Sequence, residues 1–252
     1  MSYNKKMEFL KPIIQLTREN EPKLLFRVTL LRHEQSLYKN EGHDLTLEGE
    51  KRAIGIGKKL REEKIIKDKE DIFLIHSPQA RAKGTLDLIA KGAALEDKPK
   101  RSIDQLRMSD ILDFDAFIKR MDELGKNGES IAKDHYTHQM HSSGSKVIEP
   151  HEAKKKRLYR ACEYLIRWFE HHPSQGSIPH VIAVSHFEII THLIDDVFGI
   201  ENIGRYNAPH HGEAVYIEAY EGNKKNEILL KITYNGKTKE VYFDRGNRSI
   251  RG

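Results

Sequence analysis

Arg32 and His33 stand side by side where an apolar run stops, in "LLRHEQS" over residues 30–36. A second histidine, His186, closes another apolar run in "VSHFEII", and Arg81 follows a third in "HSPQARA". Two arginines and two imidazoles brought to one point suit a dianionic phosphoryl group. The guanidinium fork matches phosphate oxygens in a plane. A neutral imidazole is also a nucleophile, and by accepting a phosphoryl group it splits hydrolysis into two steps. Arginines beside His33 disfavour its protonation and keep it available near neutral pH. A protonated His186 then clamps the transferring oxygens. With two arginines and a protonated histidine to hold the charge, the chemistry calls for no metal and no cofactor.

Those residues meet only if the runs that carry them are neighbouring strands. "LLFRVTLLR", "DIFLIH" and "HVIAVS" read as buried strands. Each is followed by a helical pattern. "TLEGEKRAIGIGKKLREE" has Thr46 as its N-cap and an apolar face of Leu47, Ile54, Gly57 and Leu60. "SPQARAKGTLDLIAKG" has Ser77 as cap and Pro78 at the first helical position. "HFEIITHLIDDVFG" follows the third strand, and "HEAKKKRLYRACEYLIRWFEHH" precedes it with Leu158, Cys162, Leu165 and Phe169 on one face. Alternating strands and helices predict a three-layer α/β/α sandwich with a mainly parallel central sheet. Such sheets bind ligands beyond the carboxyl ends of their strands, where helix N-termini add free N–H donors. Residues 101–150 break the alternation and read as an insertion after the second βα unit, a lid over the sheet. "EAVYIEAY", "EILLKITY" and "KEVYF" predict a C-terminal antiparallel meander over about 213–244, with Asn235-Gly236 as a hairpin turn and a frayed tail beyond.

Composition narrows the class. The 252 residues are read as one domain, with 38% hydrophobic and 32% charged residues. No run approaches the ~20 apolar residues of a membrane helix. No signal peptide is read at the N-terminus, and the single cysteine, Cys162, points to a reducing, cytoplasmic setting. The net charge of +5 favours anionic partners, but 43 basic against 38 acidic residues make a mixed surface. The densest basic run, "KKKR" at 154–157, opens a helix and reads as a solvated face. No nucleic-acid module is visible, so neither nucleic acid nor membrane is expected as a partner. The oligomeric state is not legible.

Four segments resemble the histidine phosphatase superfamily, the phosphoglycerate mutase-like proteins. "LLRHEQS" resembles the family's Leu-x-Arg-His-Gly-(Glu/Gln)-Ser/Thr, and "LTLEGEKRA" its Leu-Thr-x-x-Gly-x-x-Gln-Ala. "HSPQARAKGT" is similar to Ser-Ser-Pro-x-x-Arg-Ala-x-Gln-Thr, and "VSHFEII" to Val-Ser-His-Gly-x-x-Ile. They occur in the family's order over residues 27 to about 198. The resemblance implies that Arg32, His33, Arg81 and His186 form a phosphate pocket, with His33 as the phosphorylated nucleophile, while Thr46 and Gly49 are structural. It also implies a small phosphorylated substrate or phosphate as the ligand.

Three departures from the pattern fall beside the histidines or at the proton donor. Glu34 and Phe187 replace the glycines after the two histidines, and Met108 in "QLRMSD" stands where the family carries its acidic proton donor. Asp110 is the favoured replacement, with Asp104, Glu34 and Glu188 as rivals. Arg205 and Tyr206 in "ENIGRYNAPHHGE" are candidate substrate contacts, and His210 or His211 could line the rim. His135, His138 and His141 recur at a spacing of three without an acidic or cysteine partner, which suits a polar lid better than a metal site. The expected function is a metal-independent phosphomonoesterase. A mutase-type phosphoryl transferase and a non-catalytic phosphate-binding module of the same fold are the alternatives.

Overall fold

The computed structural model describes residues 22–37, 45–127, 146–171, 176–199 and 209–251. Strand β1 (Leu24–Arg32), helix α1 (Leu47–Glu62), strand β2 (Glu70–His76), helix α2 (Ala80–Gly92) and strand β3 (Lys100–Ser102) come first. A short 3-10 turn (Asp104–Leu106) leads to α3 (Phe114–Lys126). Then follow α4 (His151–His171), β4 (Ile178–Ser185) and α5 (Phe187–Phe198). Strands β5 (Ala214–Glu221), β6 (Glu227–Tyr234), β7 (Lys237–Asp244) and β8 (Ser249–Arg251) end the order.

The strands form one sheet in the order β3-β2-β4-β1-β5-β6-β7-β8. β3, β2, β4 and β1 run parallel, and β5 joins β1 antiparallel to open the C-terminal meander. Helices cover both faces, as the alternation predicts. Leu31, Leu74, Ile182 and Val184 turn toward α1 and α2. Val28, Leu30, Val181 and Ala183 turn toward α4 and α5. The period-2 alternation within β1 thus feeds two cores from one strand.

α1 and α2 approach unusually closely. A Cβ on Gly57 would lie 2.1 Å from the Ile89 carbonyl oxygen, so only glycine admits this contact. Thr46 caps α1 by accepting the Gly49 N–H at 2.9 Å, as its type predicts. Asn235 and Gly236 both have positive φ, the I′ geometry expected of an Asn-Gly hairpin.

Several local expectations are corrected. Leu47 is exposed, because the buried face of α1 runs through Gly49, Ala53, Gly57 and Leu60. α2 starts at Ala80, and Ser77 does not cap it; its hydroxyl is engaged elsewhere. The tail is not frayed. β8 pairs with β7, and Arg251 binds Asp244 at 2.6 Å and Glu227 at 3.2 Å. "KKKR" is not uniformly solvated: Lys154 and Arg157 are buried between α4 and its neighbours, and burial pulls the Lys154 ammonium down to about 8. In the expected insertion, α3 packs Leu124, Phe117 and Met121 on Val147 and Ile148. Residues 128–145 of that segment, with His135, His138 and His141, lie outside the described residues.

A polar chain crosses the lower part of the sheet. Thr29 Oγ1 lies 2.9 Å from His180 Nε2, and His180 Nδ1 lies 2.8 Å from Glu70 Oε2. Arg27 bridges Glu70 to Glu218. The order hydroxyl, imidazole, carboxylate resembles a catalytic triad, but Thr29 is 1% exposed and reaches no surface. It ties β1, β2, β4 and β5 together.

Candidate active site

The pocket is a consequence of register. Arg32 on β1 pairs with Ser185 on β4, so His33 and His186 leave the sheet at the same height. The His33 N–H donates to the Ser185 carbonyl at 2.9 Å. On the far side of β4, the Ser77 N–H donates to the Val184 carbonyl at 2.9 Å and sets Ser77 beside His186. Arg81 rises from the first turn of α2. Thus the structure brings Arg32, His33, Arg81 and His186 together at the carboxyl ends of three parallel strands.

The hydrogen bonds fix the protons. His33 Nδ1 donates to the Glu34 carbonyl at 2.7 Å, which leaves the Nε2 lone pair free to face Arg81 Nε at 3.2 Å. Burial, then the Arg81 charge, hold the His33 imidazole well below its ordinary pKa, so it is neutral. The His186 ring lies 5.0 Å away, centroid to centroid. The Ser77 hydroxyl donates to Gln79 Oε1 at 2.8 Å, so it accepts from His186 Nε2 at 2.7 Å. His186 Nδ1 therefore carries the lone pair and faces Arg81 Nη2 at 3.4 Å. Burial and then His33 push its pKa well down as well. The serine expected to cap a helix instead orients the second imidazole.

A third histidine joins them. The loop entering β5 crosses the end of β1, with the Gly212 N–H on the Arg32 carbonyl and the Arg32 N–H on the Glu213 carbonyl, both at 3.1 Å. It delivers Pro209, whose carbonyl accepts from Arg32 Nη1 at 2.8 Å, and His211, whose Nε2 lies 3.3 Å from Arg32 Nη2. The His211 ring is 5.3 Å from that of His33. Phe187 lies under the Arg32 guanidinium at 5.0 Å. Of the two rim candidates, His210 and His211, it is His211 that comes to the site, placed by the pairing of β5 with β1.

The carboxylates are distributed otherwise than expected. Asp110 is gripped by Arg107, Nε to Oδ1 at 3.0 Å and Nη2 to Oδ2 at 2.6 Å, and Arg107 also holds Asp104. That grip keeps the Asp110 carboxyl below the usual range, ionised, which is the wrong state for giving a proton. Glu34 is buried and paired with Arg52 at 2.7 Å. Met108 does reach the pocket, its sulfur 2.9 Å from Arg81 Nη2. Arg157 fixes that loop, donating to the Arg107 and Met108 carbonyls and to Glu149. Glu188 keeps its Oε2 buried with no hydrogen-bond partner among the described residues, and the buried Lys154 ammonium is close enough to act on its charge. Arg205 and Tyr206 lie outside the described residues. A cavity of about 730 Å³ opens at the opposite end of the sheet, beside Leu24, Phe169 and Pro179, and contains none of these groups.

The second signature segment supports the first mechanically. The Thr46 N–H donates to the Gln35 carbonyl at 3.0 Å, and Gly49 sits so close that a Cβ would lie 2.7 Å from the same oxygen. The loop after the nucleophile is thus seated on α1.

Comparison with known proteins bears on the family and the fold. The model of the histidine phosphatase superfamily (branch 1) matches residues 28–233. No curated protein matches the sequence significantly. Among solved structures, the phosphoglycerate mutase of Bacillus anthracis superposes with TM-score 0.57 at 17% identity, over 80% of this chain and 90% of that one. Bacillus stearothermophilus YhfR gives 0.56 at 18%, over 84% and 97%. A mycobacterial glucosyl-3-phosphoglycerate phosphatase holding inorganic phosphate gives 0.55 at 14%, over 84% and 97%. At these identities the superpositions speak for the fold, and the match to the family model carries the assignment: the chain belongs to the histidine phosphatase superfamily, branch 1.

Proposed function

We propose that the protein is a phosphatase that hydrolyses small phosphomonoesters without a metal, through a phosphohistidine on His33. The observation that carries the reading is the His33 tautomer: Nδ1 is spent on the Glu34 carbonyl, and a neutral Nε2 lone pair faces the Arg81 guanidinium at 3.2 Å. Arg32 and Arg81 hold the phosphoryl oxygens. His33 Nε2 bonds to phosphorus as the bond to the leaving oxygen breaks. His186, protonated at Nδ1 once the dianion arrives, stabilises the charge on the transferring oxygens. Water then attacks the phosphohistidine, phosphorus leaves nitrogen, and phosphate departs. The leaving oxygen needs a proton. With Asp110 tied to Arg107, we assign that role to Glu188, two residues beyond His186. Arg205 and Tyr206 remain candidate substrate contacts.

Hydrolysis is favoured over mutase chemistry because the longer substrate-binding motifs of mutases are missing between the signatures. The second reading, a phosphate-binding module without turnover, draws on Met108 at the Arg81 guanidinium. Rapid quench with radiolabelled substrate separates them. Wild type should form a base-stable, acid-labile adduct and release phosphate with chelator present. His33→Ala should do neither. Phosphate binding without any adduct favours the binding module. Turnover in His33→Ala, or a strict metal requirement, refutes the proposal.

A further inference from the structure

His211 enters neither the family signatures nor the steps above, yet it contacts both the nucleophile and its neighbouring arginine. Its Nδ1 lies 2.9 Å from the His33 carbonyl oxygen, an acceptor only, so Nδ1 carries the hydrogen. Nε2 is then a lone pair, and the donor facing it is Arg32 Nη2 at 3.3 Å. That donor is one a bound phosphoryl group would claim. Unlike His33 and His186, His211 is only half buried, so it exchanges protons readily with solvent.

Resting on the phosphatase reading, we propose that His211 is a proton-switched ligand of the anion pocket. When a phosphoryl dianion binds, Arg32 turns Nη2–H from His211 to the anion. The freed Nε2 takes a proton from solvent, and the resulting imidazolium becomes a further cation facing the bound oxygens. Binding thus consumes a proton at His211.

The surroundings agree with this direction. Without anion, burial and then the Arg32 charge hold His211 at about 4. Among the described residues, the other charged or titratable groups facing it are His33, Arg52 with its partner Glu34, and His210. Arg52 and His210 oppose protonation, whereas an incoming dianion outweighs them at closer range. The Nδ1–H bond to the His33 carbonyl survives the change, so the nucleophile's backbone need not move.

Sulfate is a suitable probe because it does not titrate near neutrality. Calorimetry of sulfate binding at one pH, in two buffers of different protonation enthalpy, counts the protons taken up. His211→Asn keeps a donor for the His33 carbonyl and lacks the titrating nitrogen. It should take up about one proton fewer per sulfate than wild type. Its affinity should fall less steeply as pH rises, by about tenfold less per pH unit. His186→Asn should retain the His211-dependent share. Equal uptake by wild type and His211→Asn overturns the inference and leaves the phosphatase reading standing. Failure of wild type to bind either sulfate or phosphate overturns both.

Discussion

Gly57→Ala should destabilise the protein, although helix propensity alone predicts the reverse. Alanine is favoured over glycine inside a helix by ~1 kcal/mol. Gly57, however, faces α2, where an added Cβ would stand 2.1 Å from Ile89 O, 2.8 Å from Ala93 N and 2.9 Å from Gly92 Cα. These are backbone atoms and cannot rotate away. A carbon–oxygen contact closes at about 3.3 Å, so the helices must part by about 1 Å. Overpacking of this kind costs ~1–3 kcal/mol, and a backbone clash belongs at the upper end. The propensity gain therefore leaves a net loss of roughly 2 kcal/mol, or ~4–8 °C in Tm for a chain of this size. Gly55 is the internal control, on the same helix with nothing within 4 Å of its added Cβ. Gly55→Ala should raise Tm by ~2–4 °C. Calorimetric melts of both variants test the pair. If Gly57→Ala melts at or above Gly55→Ala, the close crossing of α1 and α2 is not there. Because α2 carries Arg81, Gly57→Ala should also weaken sulfate binding, which Gly55→Ala should leave unchanged.

Other consequences follow from the polar contacts. Burial alone would raise the Glu70 carboxyl, but the hydrogen bonds from His180 and Lys67 hold it at about 2, below its ordinary 4.5. Its contribution, on the order of 3 kcal/mol, is present above about pH 4.5 and is lost as pH falls toward 2. Urea midpoints of wild type and Glu70→Gln should therefore differ at neutral pH and converge in acid. Glu188→Gln should slow alkyl phosphates far more than aryl phosphates, by ~10²–10⁴-fold, since only the poor leaving group needs a proton. Asp110→Asn should show no such contrast, and a steady-state comparison of the two substrate types decides between them. Ser77→Ala removes the 2.7 Å partner of His186 Nε2 and should lower kcat more than it raises KM, because His186 acts mainly on the developing charge.

The groups at the strand ends were readable because each is local. A strand that stops at Arg32-His33 or Ser185-His186 announces itself by its apolar run, and the parallel order follows from the intervening helices. What escaped reading depends on contacts between distant segments. Arg107 and Asp110 are three residues apart, yet nothing in "RMSD" says that the pair closes on itself instead of opening to the pocket. Lys154 looks like any other lysine of "KKKR" until α4 turns it inward. Ser77 fits a cap by type, and only the neighbouring β4 turns its hydroxyl to His186. His211 could be read only as one of two rim candidates, because β5 pairs with β1, a pairing that a connection from α5 to β5 does not specify. β8 is three residues long and carries too little pattern to distinguish it from a loose end.

The placement of β1 between β4 and β5 also governs when this molecule can exist during synthesis. β1 leaves the ribosome first of the described strands, but its two partners follow about 150 and 190 residues later. Until then "LLFRVTLLR" has two open edges and high β propensity, the profile of a segment that pairs with the wrong chain. Closing such distant pairings is slow, so the interval is long on a folding timescale. A nascent chain halted before Ala214 has no β5 to pair with β1 and hold the loop of Pro209 and His211 against Arg32. Arg27 within that run supplies a charge that interrupts the apolar stretch, and it becomes neutralised only when Glu70 and Glu218 arrive from either side. The same side chain that guards the waiting strand later locks it in place.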